Sequence, residues 1–165
     1  VVLIGLMEQA NCVVKQALWS NPFTKGPVQS AGYILNAGSE QFIQDCVHKL
    51  QQDHAASLLI FPEGTRTAKG EQLNDFQRGA ANIALRAGVP IRPVLISCTP
   101  STLTKNEKWY HIPEQPFHIH VKVLDAIRVE DVLDDVTVNP KNVRQLNQQL
   151  QWFFNQELSL NEQSC

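Results

Sequence analysis

Along this chain apolar residues gather in short runs that end abruptly in turn-forming residues. The sharpest break follows Leu58-Leu59-Ile60-Phe61, where four apolar residues give way to Pro62-Glu63-Gly64-Thr65-Arg66. An unbroken apolar run of this length reads as a strand buried on both faces. The polar residues after it are then presented from the end of a core strand. In open α/β sheets ligands gather at the carboxyl ends of strands, so Glu63 to Arg66 stands where a substrate is held.

The rest of the pattern builds a scaffold for that turn. The run Val1-Val2-Leu3-Ile4-Gly5-Leu6-Met7 fits a buried helix or strand equally well, and Cys12-Val13-Val14 reads as a short buried strand ending at Lys15. Helical propensity in Gln16-Ala17-Leu18-Trp19 is cut by Asn21-Pro22-Phe23 and Gly26-Pro27, and Tyr33-Ile34-Leu35 forms a second strand. Over 39–54 the apolar residues Phe42, Ile43, Cys46, Val47 and Leu50 fall on one helical face, with Ser39 as the N-cap. Strand, helix and opening strand in succession favour parallel pairing.

Downstream, a helix over 80–87 turns Ile83, Ala84 and Ala87 inward and ends at Gly88, a good C-terminal cap. A strand over 90–96 follows, its two prolines placing its start at an edge or bulge. In Phe117-His118-Ile119-His120-Val121-Lys122-Val123 strict alternation predicts a half-exposed strand. Asn139-Pro140 supplies a cap and first turn for a last helix over 140–158, with Val143, Leu146, Leu150, Phe153 and Leu158 inward. The predicted fold is α/β: one domain over 1–165, with a mixed, largely parallel sheet flanked by helices.

Composition narrows the functional classes. A chain of 165 residues that is 43% hydrophobic encloses a real core. Its 14 basic and 16 acidic residues, net −2, give no electrostatic case for nucleic acid as a partner. Cys12, Cys46, Cys98 and Cys165 are scattered without a paired motif, which points to reduced thiols in a cytosolic compartment. No apolar run approaches the roughly 18–20 residues that span a bilayer, and no signal-peptide pattern opens the chain. The hydrophobic start at Val1 suggests chain upstream of it.

Within the turn, Gly64 permits positive φ or close backbone approach, Thr65 offers a hydroxyl, and Arg66 presents a planar fork suited to phosphate oxygens. Together they make a small anion site; the competing reading is a structural turn in which Arg66 pairs with Glu63 or a neighbouring carboxylate. Lys15, Lys69 and Arg78 add positive charge if their loops converge, and are otherwise solvated side chains. Gly70 and Gly79 read as backbone requirements. His118 and His120 share one side of a strand, but no carboxylate or Cys at suitable spacing completes a metal site. Cys46, on the inward helical face beside Asp45 and His48, reads as a buried, inert thiol. Neither Ser57 nor Ser97 sits in a nucleophile elbow.

Phe61-Pro62-Glu63-Gly64-Thr65-Arg66 resembles the Phe-Pro-Glu-Gly-Thr-Arg block of the glycerolipid acyltransferases, the family that includes the 1-acylglycerol-3-phosphate acyltransferases. Val89-Pro90-Ile91-Arg92-Pro93-Val94 is similar to that family's later block, and Phe76 and Gly79 to the stretch between, with Gln77 in place of the usual Lys. Lys15 and the Pro22-Phe23 turn also resemble the segment before the Glu-Gly-Thr-Arg block. The resemblance covers most of residues 1–100. Two features depart from it. The family's catalytic block is a His followed by four residues and an Asp, upstream of the turn. His48 with Asp53 and His120 with Asp125 have that spacing in the wrong places, so the resemblance puts the block just before Val1. The family also often carries an Arg just after the strand at Tyr33-Ile34-Leu35, and none stands there.

The resemblance implies an acyltransferase that moves a fatty acyl group from an acyl thioester to the hydroxyl of a lysophospholipid. The thioester would be acyl-CoA or acyl carrier protein, as co-substrate rather than cofactor, and no metal is required. It implies that Glu63, Gly64, Thr65 and Arg66 bind the acceptor phosphate, and that Pro90 and Pro93 shape the wall near the acyl donor. The His and Asp would lie upstream, leaving residues 1–165 inactive by themselves, since general-base assistance contributes about 10²- to 10⁴-fold. The expected setting is the cytoplasmic side of a membrane, peripheral or anchored by an upstream segment. Two alternatives remain open: a non-catalytic lipid or acyl-carrier binding domain that keeps the phosphate site, and a phosphate-binding α/β enzyme of another family.

Overall fold

The computed structural model describes residues 7, 10–36, 40–53, 55–68, 71–102, 104–105 and 114–162. The apolar run at the start, except Met7, lies outside these residues, as do Ser39, Lys69, Gly70, Cys165 and the side chain of Lys15. In chain order the elements are β1 (Ala10–Lys15), α1 (Gln16–Ser20), α2 (Lys25–Ser30), β2 (Ile34–Asn36), α3 (Glu40–Gln52), β3 (Ser57–Leu59), α4 (Gly79–Ala87), β4 (Val94–Thr99), β5 (His118–Val123), a short 3₁₀ turn (Val129–Asp131) and α5 (Pro140–Glu162). They cluster in two units, Val1–Ile60 with Asn82–Val89, and Phe61–Ala81 with Pro90–Cys165.

The first unit carries the parallel sheet, in the order β2-β1-β3. Val13, Val14 and Lys15 of β1 pair with Ile34, Leu35 and Asn36. Ala10, Asn11 and Cys12 pair with Ser57, Leu58 and Leu59. The connection from β2 through α3 to β3 thus passes over β1 to its far side, and the strands on both sides of β1 run parallel to it. Alternation then sends neighbouring side chains to opposite faces. Val13, Ile34 and Leu58 pack against Phe42, Ile43, Cys46 and Val47 of α3 and Ile83 of α4. Cys12, Val14 and Leu59 pack with Trp19, Val28 and Tyr33. Apolar side chains therefore cover both faces of the sheet.

The α3 face is the one that periodicity predicts, with Leu50 half-buried at its end. Full burial of a residue such as Ile83, 2% exposed, is worth about 1.5–3 kcal/mol. The Arg86–Glu40 pair at 2.9 Å joins α4 to α3, but its exposed carboxylate limits it to about 0–1 kcal/mol. The opening strand departs from expectation. It stops at Leu59, its residues are half-buried rather than buried on both faces, and Phe61 is 56% exposed. The reason is its place at the end of the order, where its only described strand partner is β1.

In the second unit β4 and β5 pair antiparallel, from Val94 opposite Val123 to Thr99 opposite His118. The strand expected over 90–96 starts later, at Val94, and runs on to Thr99. Before it, Ile91 makes an isolated two-way backbone bridge with Ile127 at 2.8 and 2.7 Å. Pro93 cannot donate, but its carbonyl accepts from Leu124 N at 3.0 Å.

β5 also corrects the pattern. It is more exposed than the half-exposed strand that alternation predicts: Ile119 and Val123 are 42% and 58% exposed, and Val121 is half-buried. Lys122, on the other face, pairs with Leu95, which is 5% exposed, and its Nζ reaches Glu157 of α5 at 3.2 Å. The Lys122 side chain stays half exposed in this pair, so the charged side of the strand remains open to solvent.

α5 begins as its sequence predicts. Asn139 Oδ1 accepts from the Asn142 backbone at 2.8 Å, and Pro140 takes the first turn. Asn142, 5% exposed, donates through Nδ2 to the carbonyls of Asp135 and Thr137 at 2.8 and 2.9 Å. Val143, Leu146 and Leu150 are buried, and Phe153 and Leu158 half-buried. Among the described residues no helix is long and apolar enough to cross a membrane.

Candidate functional site

The turn after β3 is built from its backbone outward. Gly64 has φ +67, the left-handed region that side chains disfavour, and its N–H closes the turn on the Phe61 carbonyl at 3.1 Å. The Pro62 carbonyl accepts from Gln77 N at 2.8 Å. Thr67 closes the far side, its carbonyl accepting from Lys105 N at 3.0 Å.

Glu63 points back into this framework. Its Oε2 accepts from the Asn74 backbone at 2.8 Å, from Asn74 Nδ2 at 2.8 Å and from Thr67 Oγ1 at 3.1 Å. A carboxylate oxygen taking backbone and side-chain donors is a strong local anchor. Gly64, Thr65 and Arg66 are exposed, whereas Glu63 is half-buried. The two roles that the sequence assigns jointly to these four residues are thus divided. Glu63 shapes the turn, and Thr65 and Arg66 are exposed residues that carry a hydroxyl and a guanidinium. Anion recognition by a planar fork above a glycine turn is the chemistry such a surface supports.

The structure places the other candidates as follows. Pro90 is exposed, and Pro93 is fully enclosed, so Pro93 shapes a wall only through the neighbours it packs against. Arg78 is exposed and follows the Gln77 whose N–H binds Pro62. His118 and His120 lie exposed on β5 beside Lys122, and among the described residues no three His, Cys, Asp or Glu side chains cluster as a metal ion needs. Asp53 accepts from the Ala55 backbone at 3.0 Å, an Asx turn after α3, while His48 is exposed within that helix. Cys46 is fully buried, and burial, with a smaller effect from Asp45, pushes its thiol up to about 12. It is inert at neutral pH.

Asn74 and Thr67 are given no role by sequence reasoning, and Gln77 enters there only as a departure from the family's Lys. Each lies in a polar loop whose residue types are ordinary for loops. The one local signal is Phe76, an aromatic residue isolated in such a loop and only 7% exposed.

Comparison with known proteins gives this geometry a context. A family model described as Acyltransferase matches residues 3–97, more than half of the chain. The mouse 1-acyl-sn-glycerol-3-phosphate acyltransferase alpha is 36% identical over 86 residues, which make up 52% of this chain and 29% of the mouse protein. The Escherichia coli 1-acyl-sn-glycerol-3-phosphate acyltransferase is 46% identical over 50 residues, 30% of this chain and 20% of that one. The matches thus span less than a third of either relative. A crystal structure of the 1-acyl-sn-glycerophosphate (LPA) acyltransferase PlsC from Thermotoga maritima is similar over 96% of this chain and 60% of that one, with TM-score 0.68 and 20% identity. At that identity the likeness is one of fold.

Proposed function

This chain belongs to the acyltransferase family, and on that premise we propose that it forms the acceptor-holding part of an enzyme that acylates a lysophospholipid such as 1-acylglycerol 3-phosphate. The observation that carries this reading is the division of the turn. Glu63 is held from behind by Asn74 and Thr67, while Gly64, Thr65 and Arg66 face solvent. A phosphate monoester suits Arg66 in charge and in the spacing of its oxygens, and Thr65 adds a neutral donor.

In the reaction the free hydroxyl of the acceptor attacks the carbonyl carbon of an acyl thioester. The new C–O ester bond forms, the C–S bond breaks, and the hydroxyl proton passes by way of a base to the leaving thiolate. By resemblance to the family that base is a His oriented by an Asp, upstream of Val1. The donor is acyl-CoA or acyl carrier protein, and the work is done at the cytoplasmic side of a membrane, where the acceptor lipid resides. The residues of the turn hold the phosphate end, so that binding energy far from the reacting atoms orients the hydroxyl.

The test uses the full-length protein with 1-acylglycerol 3-phosphate and each donor class in turn. Arg66→Ala removes a charge-assisted contact of about 1.5–3 kcal/mol, so the acceptor KM rises roughly ten- to hundredfold while the donor KM holds. A phosphate-free monoacylglycerol whose KM rises as much on Arg66→Ala as that of 1-acylglycerol 3-phosphate would overturn the reading. Lipid binding without turnover for any donor would favour a non-catalytic binding domain instead.

A further inference from the structure

The segment Asn74-Asp75-Phe76-Gln77 ties the turn to the long C-terminal helix. Toward the turn, Asn74 gives its backbone N–H and its side-chain amide to Glu63, and Gln77 N donates to the Pro62 carbonyl. Toward α5, Phe76 N donates to Gln151 Oε1 at 3.1 Å, Gln151 Nε2 donates to Asp75 Oδ1 at 3.2 Å, and Asn147 Nδ2 donates to the Phe76 carbonyl at 3.1 Å. The Phe76 ring meets Phe154 edge to face at 5.2 Å. Each of the four residues is therefore bonded either to the turn or to the helix.

Asn147 and Gln151 are four residues apart, on one face of α5. Side-chain amides offer a donor and an acceptor at once, so two of them satisfy both backbone groups of Phe76, a nearly buried residue with no strand to pair with. α5 lies beyond the stretch matched by the family model, residues 3–97.

We propose that Asn147 and Gln151 are positioning residues for the acceptor phosphate, acting through segment 74–77 on Glu63 and thereby on Thr65 and Arg66. The inference rests on the reading of that turn as the acceptor site. α5 sets the position of the segment, the segment sets Glu63, and Glu63 sets the outward-facing residues. Loss of either amide leaves a backbone group of Phe76 unpaired and lets the turn shift relative to the bound phosphate.

The full-length protein tests this by kinetics and a double-mutant cycle. Gln151→Leu is expected to raise the acceptor KM about tenfold with the donor KM unchanged, and Asn147→Ala to act in the same direction. In an Arg66→Ala background, Gln151→Leu is expected to add much less than it costs alone, because the larger contact it positions is already gone. Exchanging donor and acceptor in Gln151→Glu with Asp75→Asn is expected to restore the acceptor KM. If Gln151→Leu does not fold, Asn147→Ala is judged by the same criteria. The proposal is overturned if the effect persists in full without Arg66, or if both substrates lose equally. An Arg66→Ala protein with an unchanged acceptor KM overturns the acceptor-site reading and the proposal with it.

Discussion

Gly64 and Gly88 offer a matched pair of perturbations that separates stability from function. Their φ values are +67 and +65, so Ala at either is forced into the left-handed region at a cost of about 1–2 kcal/mol. A Cβ at Gly64 meets Gln77 Cγ at 3.5 Å, an ordinary contact, and at Gly88 it meets nothing within 4 Å. Neither site adds a clash to the backbone strain. Ala also restricts the unfolded chain, which returns about 0.4–1 kcal/mol, so the net destabilisation of each variant is about 1 kcal/mol. For a domain of this size that lowers Tm by roughly 2–4 °C, to be read by calorimetry.

The two sites differ in what surrounds them. Gly88 ends α4, its N–H and that of Val89 both donating to the Ala84 carbonyl, at 3.0 and 3.4 Å. Gly64 sits between Glu63 and the outward-facing Thr65 and Arg66. If the turn relaxes to relieve the strain, those side chains move, and a displacement of about 1 Å at a positioning contact can cost on the order of 10²-fold. Gly64→Ala is therefore expected to lower kcat/KM for the acceptor at least about tenfold, and Gly88→Ala to leave it unchanged. Equal losses of activity in both variants would refute the reasoning. So would an unchanged Tm for Gly64→Ala, which would show that the turn tolerates another backbone geometry.

Two further outcomes follow from the titratable groups. Asp135 accepts hydrogen bonds from Thr137 and Asn142, and these, with Lys141 nearby, hold its carboxyl below the ordinary aspartate value of 3.8. Its folded pKa is depressed, so its contribution to stability is present above pH 3.8 and is lost as pH falls through the folded value. Urea titrations are expected to show Asp135→Asn less stable than the native protein at neutral pH and indistinguishable from it in strong acid; a constant gap across the range would exclude the linkage. Thiol labelling of the native protein at mildly alkaline pH, read by mass spectrometry, is expected to modify half-exposed Cys98 and to spare Cys12 and Cys46, both buried and both with raised thiol pKa. Rapid native labelling of Cys46 would contradict the packing of α3.

The helices and the turn were legible in the sequence because their causes are local. The inward face of α3, the Asn139-Pro140 start of α5 and the Gly88 end of α4 are all read from spacings of a few residues. The glycine at 64 likewise announces a turn before any packing is known, and it adopts positive φ there. Strand limits were read less well. β3 stops early with half-buried residues because β1 is its only described strand partner, and β5 is exposed along most of its length although its residues alternate.

By itself, then, the sequence determined the α/β class, the helical faces and the place of the turn. These follow from periodicity and from intrinsic conformational preference, which a chain carries wherever it goes. Tertiary structure alone decided which residues hold that turn. The bond from Asn74 to Glu63 spans 11 positions and that from Phe76 to Gln151 spans 75, and no residue type or spacing foretells which loop amide meets which carboxylate across such distances. Only packing brings them together, and it makes Glu63 an anchor of the site while Arg66 remains its outward face.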